Sequence, residues 1–251
     1  MSAHTVRLNF SFRPGRLGGA TALRFTLLSQ SQQTPRATVL VVDFGAQYAQ
    51  LIARRVRELH VFSEIVGHRL TAAEMAAKNP AAIILSGGPK SVHVEGAPSL
   101  DPAVYDLGVP IFGICYGAQL IAQQLGGTVG RGMRGEYGRA ELQRLGDSLI
   151  LPDDAPVRHE CWMSHFDGIT EAPDGFAVTA SSPGAPVAVL ENDERKIYGV
   201  QFHPEVKHSP YGLATMQRFL HERAGIAPEW KMSSVVEEQV ALIRERVGDA
   251  R

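Results

Sequence analysis

The sequence predicts an α/β fold built on a doubly wound, mostly parallel sheet with a small antiparallel excursion. Three features carry that expectation. There are apolar, β-branched runs of strand length without polar alternation, helical patterns set between them, and a change of texture after Leu125-Gly126-Gly127 to shorter strands broken by turn residues. Strands that are apolar throughout are those covered on both faces, as in a parallel sheet layered between helices.

Thr38 to Val42 reads as the first buried strand. From Gln47 to Glu58, Leu51, Ile52, Val56 and Leu59 fall on one helical face and arginines on the other. Val61 to Val66 is a second strand, Ala72 to Ala77 a short helix, and Ala81 to Leu85 a third strand. A helix around Ser99 to Leu107 then leads to a strand over Val109 to Ile114, and another helical pattern begins at once after it. This regular alternation predicts parallel strands joined by helical crossovers, the flavodoxin-like arrangement. The excursion takes in strands near Tyr137–Arg144, Val157–Met163, Phe176–Ser182 and Val187–Leu190, and returns to the main sheet at Lys196–Phe202. A helix over Tyr211–Ala224 closes the domain, Pro228 interrupts, and Ser234-Val235-Val236-Glu237 forms a capping box opening a last helix to about Val247.

Residues 1–36 stand apart. They contain Arg7, Arg13, Arg16, Arg24 and Arg36 and no Asp or Glu, a composition shared by transit peptides and by tails upstream of a true start. They are expected to be an N-terminal extension, disordered or produced by a misassigned start, ahead of a domain over residues 37–227. The whole chain has net charge −1, but residues 43–251 hold 20 basic residues against 26 acidic, a net −6. That body offers no nucleic-acid footprint. Two distant cysteines, Cys115 and Cys161, make no disulfide framework and fit a reducing, cytoplasmic setting. No apolar run approaches membrane-spanning length, and no His/Cys cluster has metal-ligand spacing, so neither a membrane nor a metal is expected.

Three motifs suggest chemistry. Val109 to Ile114 ends at Cys115, flanked by Gly113 and Gly117, with a helix beginning immediately after. This is the layout of a nucleophile elbow, which lifts a reactive side chain above the sheet at a helix N-terminus, where the dipole favours a thiolate. A buried core cysteine would look similar. Gly199-Val200-Gln201-Phe202-His203-Pro204-Glu205 places His203 and Glu205 on one side of an extended segment, suited to a base and its orienting carboxylate. An exposed loop histidine beside a surface carboxylate is the alternative. Ile83 to Leu85 leads into Ser86-Gly87-Gly88-Pro89, where exposed amides can receive an oxyanion or simply turn the chain. All three lie at strand C-terminal ends, where open parallel sheets place their sites.

With these motifs the chain resembles the class I, triad-type glutamine amidotransferases. Within that family it is similar to the amidotransferase domain of GMP synthases, through Asp43-Phe44-Gly45-Ala46-Gln47-Tyr48, Trp162-Met163-Ser164-His165, Pro204-Glu205-Val206-x-His208 and Trp230-Lys231-Met232. The resemblance runs from about Thr38 to the C-terminus. It implies that Cys115 is the nucleophile, His203 the base and Glu205 its orienting partner. Backbone amides of Gly88 and Tyr116 form the oxyanion site. By the same resemblance Gly87, Gln119, Ser164, His165 and Asp167 would surround the glutamine substrate, with Asp167 against its α-amino group and His165 in a structural, hydrogen-bonding role. Where the family usually has Gly between that His and Asp, this chain has Phe166, which would be strained if the backbone needed positive φ.

The resemblance further implies a partner, an ATP-pyrophosphatase domain or subunit missing from this chain, with residues 228–251 as its connector. ATP and Mg would belong to that part, which would aminate XMP to GMP and support a homodimer. No cofactor is implied in this chain. Competing readings are a glutaminase subunit of another biosynthetic pathway, a stand-alone γ-glutamyl cysteine hydrolase, and a catalytically silent module.

Overall fold

The computed structural model describes residues 37–45 and 48–231. The N-terminal extension, the Ser234 capping box and the last helix expected from the sequence lie outside the described residues.

Among the described residues, nine strands form one sheet. Its parallel half comprises β1 (Thr38–Asp43), β2 (Phe62–Gly67), β3 (Ala82–Leu85), β4 (Ile111–Ile114) and β9 (Ile197–Val200). Successive residues of β1 serve opposite cores. Val39 and Val41 pack with Ile52 and Val56 of α1 (Ala49–Glu58), while Leu40 and Val42 pack with Met75 of α2 (Ala72–Ala77) and Ile121 of α3 (Tyr116–Gln124). Both faces are therefore dry, which is why the β1 sequence shows no polar alternation. Thr71 caps α2 in a reciprocal box with Glu74, so the Thr-x-x-Glu pattern there is a helix start signal as well.

Two connections differ from expectation. The helix expected around Ser99–Leu107 is a single 3-10 turn over Pro102–Asp106. Asp101 accepts from the Ala103 amide at 3.1 Å, Pro102 starts the turn, and Gly108 at φ 69° follows, leaving no room for α-helical turns. The closing helix expected over Tyr211–Ala224 is α4 (Gly212–Gln217) continued by a wider π-helical turn over Arg218–Arg223.

The antiparallel part is not a small excursion. It comprises β5 (Thr128–Arg144), β6 (Arg158–Glu171), β7 (Ala177–Ser182) and β8 (Ala185–Asn192), and the order across the sheet is β2-β1-β3-β4-β9-β8-β7-β5-β6. Four of the eight strand pairings are antiparallel. The sequence understates this part because Gly130, Gly135 and Gly138 interrupt the β5 pattern, whereas the β5–β6 ladder continues past a register shift between Arg131 and Glu136. One result of that ladder is that Glu136 pairs with His165 and Tyr137 with Ser164.

Candidate active site

β4 ends at Ile114, and Cys115 turns the chain into α3. Its backbone is at φ 51°, ψ −104°, a conformation that costs a non-glycine residue on the order of 1–3 kcal/mol. The turn is pinned on both sides: the Cys115 amide donates to the Val200 carbonyl at 2.8 Å, and its carbonyl accepts from the Gln119 amide at 3.0 Å. The positive φ therefore sits on the cysteine itself and not on the flanking glycines. Gly117 serves close approach, since a Cβ there would lie 2.4 Å from the Leu85 carbonyl oxygen of β3. Cys115 is 5% exposed.

His203 and Glu205 follow β9 in a loop held by other elements. The His203 amide donates to the Trp162 carbonyl at 2.9 Å, and Ser209 Oγ donates to the His203 carbonyl at 2.7 Å. Arg55 of α1 donates to the Glu205 carbonyl at 2.8 Å, and the Tyr48 ring packs on the His203 ring at 5.1 Å. His203 Nδ1 lies 2.8 Å from Glu205 Oε1, and both side chains are buried. With Nδ1 committed to Glu205, Nε2 is the nitrogen left for the hydrogen bond to Cys115. Burial opposes a charged ring, but the hydrogen bonds and charges of Cys115 and Glu205 outweigh it and raise the His203 pKa to about 11.

A cavity of about 440 Å³ opens beside Cys115. Gly88 and Tyr116 line it where β3 has ended and α3 begins, positions where element hydrogen bonding leaves backbone amides available. Gly88 lies under the Tyr116 ring, whose Cγ would be 2.8 Å from a Cβ at that position. Gly87 lies behind, against His203, outside the cavity wall. Gln119, Ser164, His165 and Asp167 also line it.

His165 is buried, with Nδ1 3.0 Å from the Asp167 carbonyl and Nε2 3.1 Å from Glu136 Oε2. Ser182 Oγ donates to the same Glu136 oxygen at 2.6 Å. Both nitrogens of this histidine are thus occupied by the scaffold. Glu136 has no signature in the sequence, because nothing local to β5 signals a partner 29 residues away. Phe166 is 56% exposed and lies in β6 without positive φ, so the strain considered for it is absent. Gln201 stands in the sequence only as part of its motif, yet its side-chain nitrogen lies 3.6 Å from Cys115 Sγ.

The family model for "Glutamine amidotransferase class-I" matches residues 40–223. The chain belongs to the class I glutamine amidotransferases. Among curated relatives, the GMP synthase [glutamine-hydrolyzing] of Streptomyces coelicolor is 56% identical over 225 residues, covering 88% of this chain and 43% of the relative. The Thermobifida fusca protein of the same name is 56% identical over 214 residues, covering 85% of this chain and 40% of the relative. This amidotransferase chain therefore spans about two-fifths of the length of the curated relatives it matches. Among solved structures, a "putative gmp synthase subunit a protein" from Thermoplasma acidophilum has a TM-score of 0.68 at 31% identity, covering 76% of this chain and 95% of that one. A glutamine amidotransferase of Thermotoga maritima, 18% identical with a TM-score of 0.58, shares the fold; the match covers 75% of this chain and 98% of that one. Among the described residues, no helix is long and apolar enough to cross a membrane.

Proposed function

We propose that this chain hydrolyses glutamine to glutamate and ammonia, and that the ammonia supplies an ATP-dependent amination of XMP to GMP carried out by a synthetase portion. The observation that carries the first step is the buried line Glu205–His203–Cys115, with the sulfur at a strained elbow facing a cavity. The GMP synthase relatives, more than twice as long as the matched region, support the second.

His203 takes the Cys115 proton, and the thiolate attacks the side-chain amide carbon of glutamine. Amides of Gly88 and Tyr116 receive the oxyanion. As the tetrahedral intermediate collapses, the C–N bond breaks and His203 returns its proton to the departing ammonia, leaving a γ-glutamyl thioester on Cys115. Water then adds to the thioester while His203 accepts its proton. The C–S bond breaks, releasing glutamate and restoring the thiol. Glu205 keeps the ring oriented and favours the imidazolium throughout. Asp167 pairs with the substrate α-amino group, Ser164 and Gln119 line the site, His165 holds the Asp167 backbone, and Gly87 leaves room for His203.

The proposed domain runs over residues 37–227. The segment from 228 leads to an ATP-pyrophosphatase domain or subunit that binds ATP and Mg and supports a homodimer in the cytoplasm. The test is glutamate release by the purified chain, alone and with a separately produced synthetase portion of one of the longer relatives. Slow turnover that rises when ATP, XMP and that portion are added is expected. Fast turnover indifferent to it would exclude interdomain control, and turnover of γ-glutamyl peptides in preference to glutamine would favour a stand-alone hydrolase.

A further inference from the structure

Among the described residues, two polar groups besides His203 lie against the Cys115 sulfur and suit opposite charge states. The Ser164 carbonyl, 3.7 Å away, can only accept and so suits a thiol. The Gln201 side-chain nitrogen, 3.6 Å away, can only donate and so suits a thiolate. Gln201 is fully buried, and its backbone amide is tied to the Ala188 carbonyl at 2.8 Å.

The direction of the Gln201 side chain is dictated from further off. The Asp167 carbonyl can only accept, so Gln119, 2.6 Å away, must present its NH₂ group there. With its second hydrogen the same Gln119 nitrogen donates to Gln201 Oε1, 3.3 Å away. Turning the Gln201 amide over would set two NH₂ groups head to head and aim its oxygen at the sulfur. His165 Nδ1 lies against the same Asp167 carbonyl at 3.0 Å and steadies the origin of the chain.

We propose that Gln201 is a second group acting directly on the nucleophile, donating an N–H to the Cys115 thiolate, and that Gln119 is a positioning residue that sets the direction of that amide. The proposal rests on reading Cys115 as the nucleophile. It gives Gln201 a role that its place in the Gly199–Glu205 motif does not disclose.

Several titratable groups surround Cys115 or line its cavity. From the loop after β9 come His203 and, behind it, Glu205, with Tyr48 before α1 on the His203 ring. From β6 come His165, held by Glu136 of β5, and Asp167, and from the segment after β3 come Lys90 and His93 across the cavity; Tyr116 opens α3 beside it. None of these is altered in a Gln201 variant, so the change reads the amide alone.

The test measures the pH dependence of Cys115 alkylation by iodoacetamide in the full chain, with the site identified by peptide mapping. The thiolate displaces iodide as the C–S bond forms, so the rate follows the thiolate population. Gln201→Met removes the donor at similar volume and should raise the midpoint by about one pH unit, as expected for one hydrogen bond to a charged group. Gln119→Met should raise it in the same direction by about half as much. In the wild-type chain, the side-chain amide signal of Gln201 in nitrogen-15 spectra should shift with the same midpoint as alkylation, and lose that shift in Cys115→Ala. This second readout holds even if Gln201→Met does not fold. An unmoved midpoint in folded Gln201→Met, or an amide signal indifferent to pH, overturns the proposal. A wild-type Cys115 inert to a glutamine-directed alkylating analogue would instead overturn the nucleophile reading beneath it.

Discussion

The parallel and antiparallel halves of the sheet divide the site between them. The parallel half holds the proposed reacting groups at strand ends: Cys115 after β4, His203 and Glu205 after β9, and Gly88 after β3. The antiparallel half supplies a wall from within a strand, with Ser164, His165 and Asp167 close together in the fourteen-residue β6. The first set is fixed by turns and loop contacts, the second by a ladder that also brings Glu136 to His165. On the proposed assignment, the chemistry depends on local backbone geometry, while substrate contact depends on register across the sheet.

The elbow should show the steepest loss. Cys115→Ala should lower glutamate release by roughly a millionfold, the scale on which nucleophile removal acts in triad enzymes. Turnover surviving within an order of magnitude would place the chemistry elsewhere. Glu205→Gln should keep the fold and lower turnover by roughly ten-thousandfold, because the ring loses its orienting carboxylate but not its position.

His203 allows a finer test. Its pKa of about 11, against an ordinary 6.5, means that its ion-pair stabilisation is fully present below about 6.5 and is lost as pH rises through about 11. In Cys115→Ala only Glu205 remains to oppose burial, so the ring's NMR titration midpoint should fall, and with it the pH at which this stabilisation disappears. A midpoint unaffected by the substitution would mean that Cys115 and His203 do not interact. On the antiparallel side, Asp167→Asn should act mainly on KM, raising it roughly tenfold by weakening a charged hydrogen bond, with a smaller change in kcat. A kcat loss matching the elbow variants would contradict the division of labour.

The same division explains what could be read in advance. Cys115, His203 and Glu205 were legible because each lies in a Gly- or Pro-marked turn after an apolar strand, and β1, β3, β4 and β9 were legible because both their faces are buried. The strained backbone at that turn belongs to Cys115 itself and not to the flanking glycines. Ser164, His165 and Asp167 came only through family resemblance, since mid-strand residues have no local signature. Glu136 and the orientation of Gln201 were not legible, because both are set by partners distant in sequence, in one case 29 and in the other 82 residues away. The extent of β5 was hidden by its glycines, which imitate turns where the chain runs straight through a bulge.

The two cysteines provide the most direct measurement. Both are buried, but Cys161 lies in β6 with its thiol pushed up to about 12, chiefly by burial and also by the nearby Glu136 charge, while Cys115 faces the cavity beside His203. The full chain should be incubated near neutral pH with a glutamine-directed alkylating analogue, then weighed intact and mapped by peptide. A single adduct on Cys115, with Cys161 unmodified and protection by added glutamine, is the predicted result. An adduct on Cys161, or none that glutamine prevents, would contradict the assignment of Cys115 as the glutamine-attacking thiol.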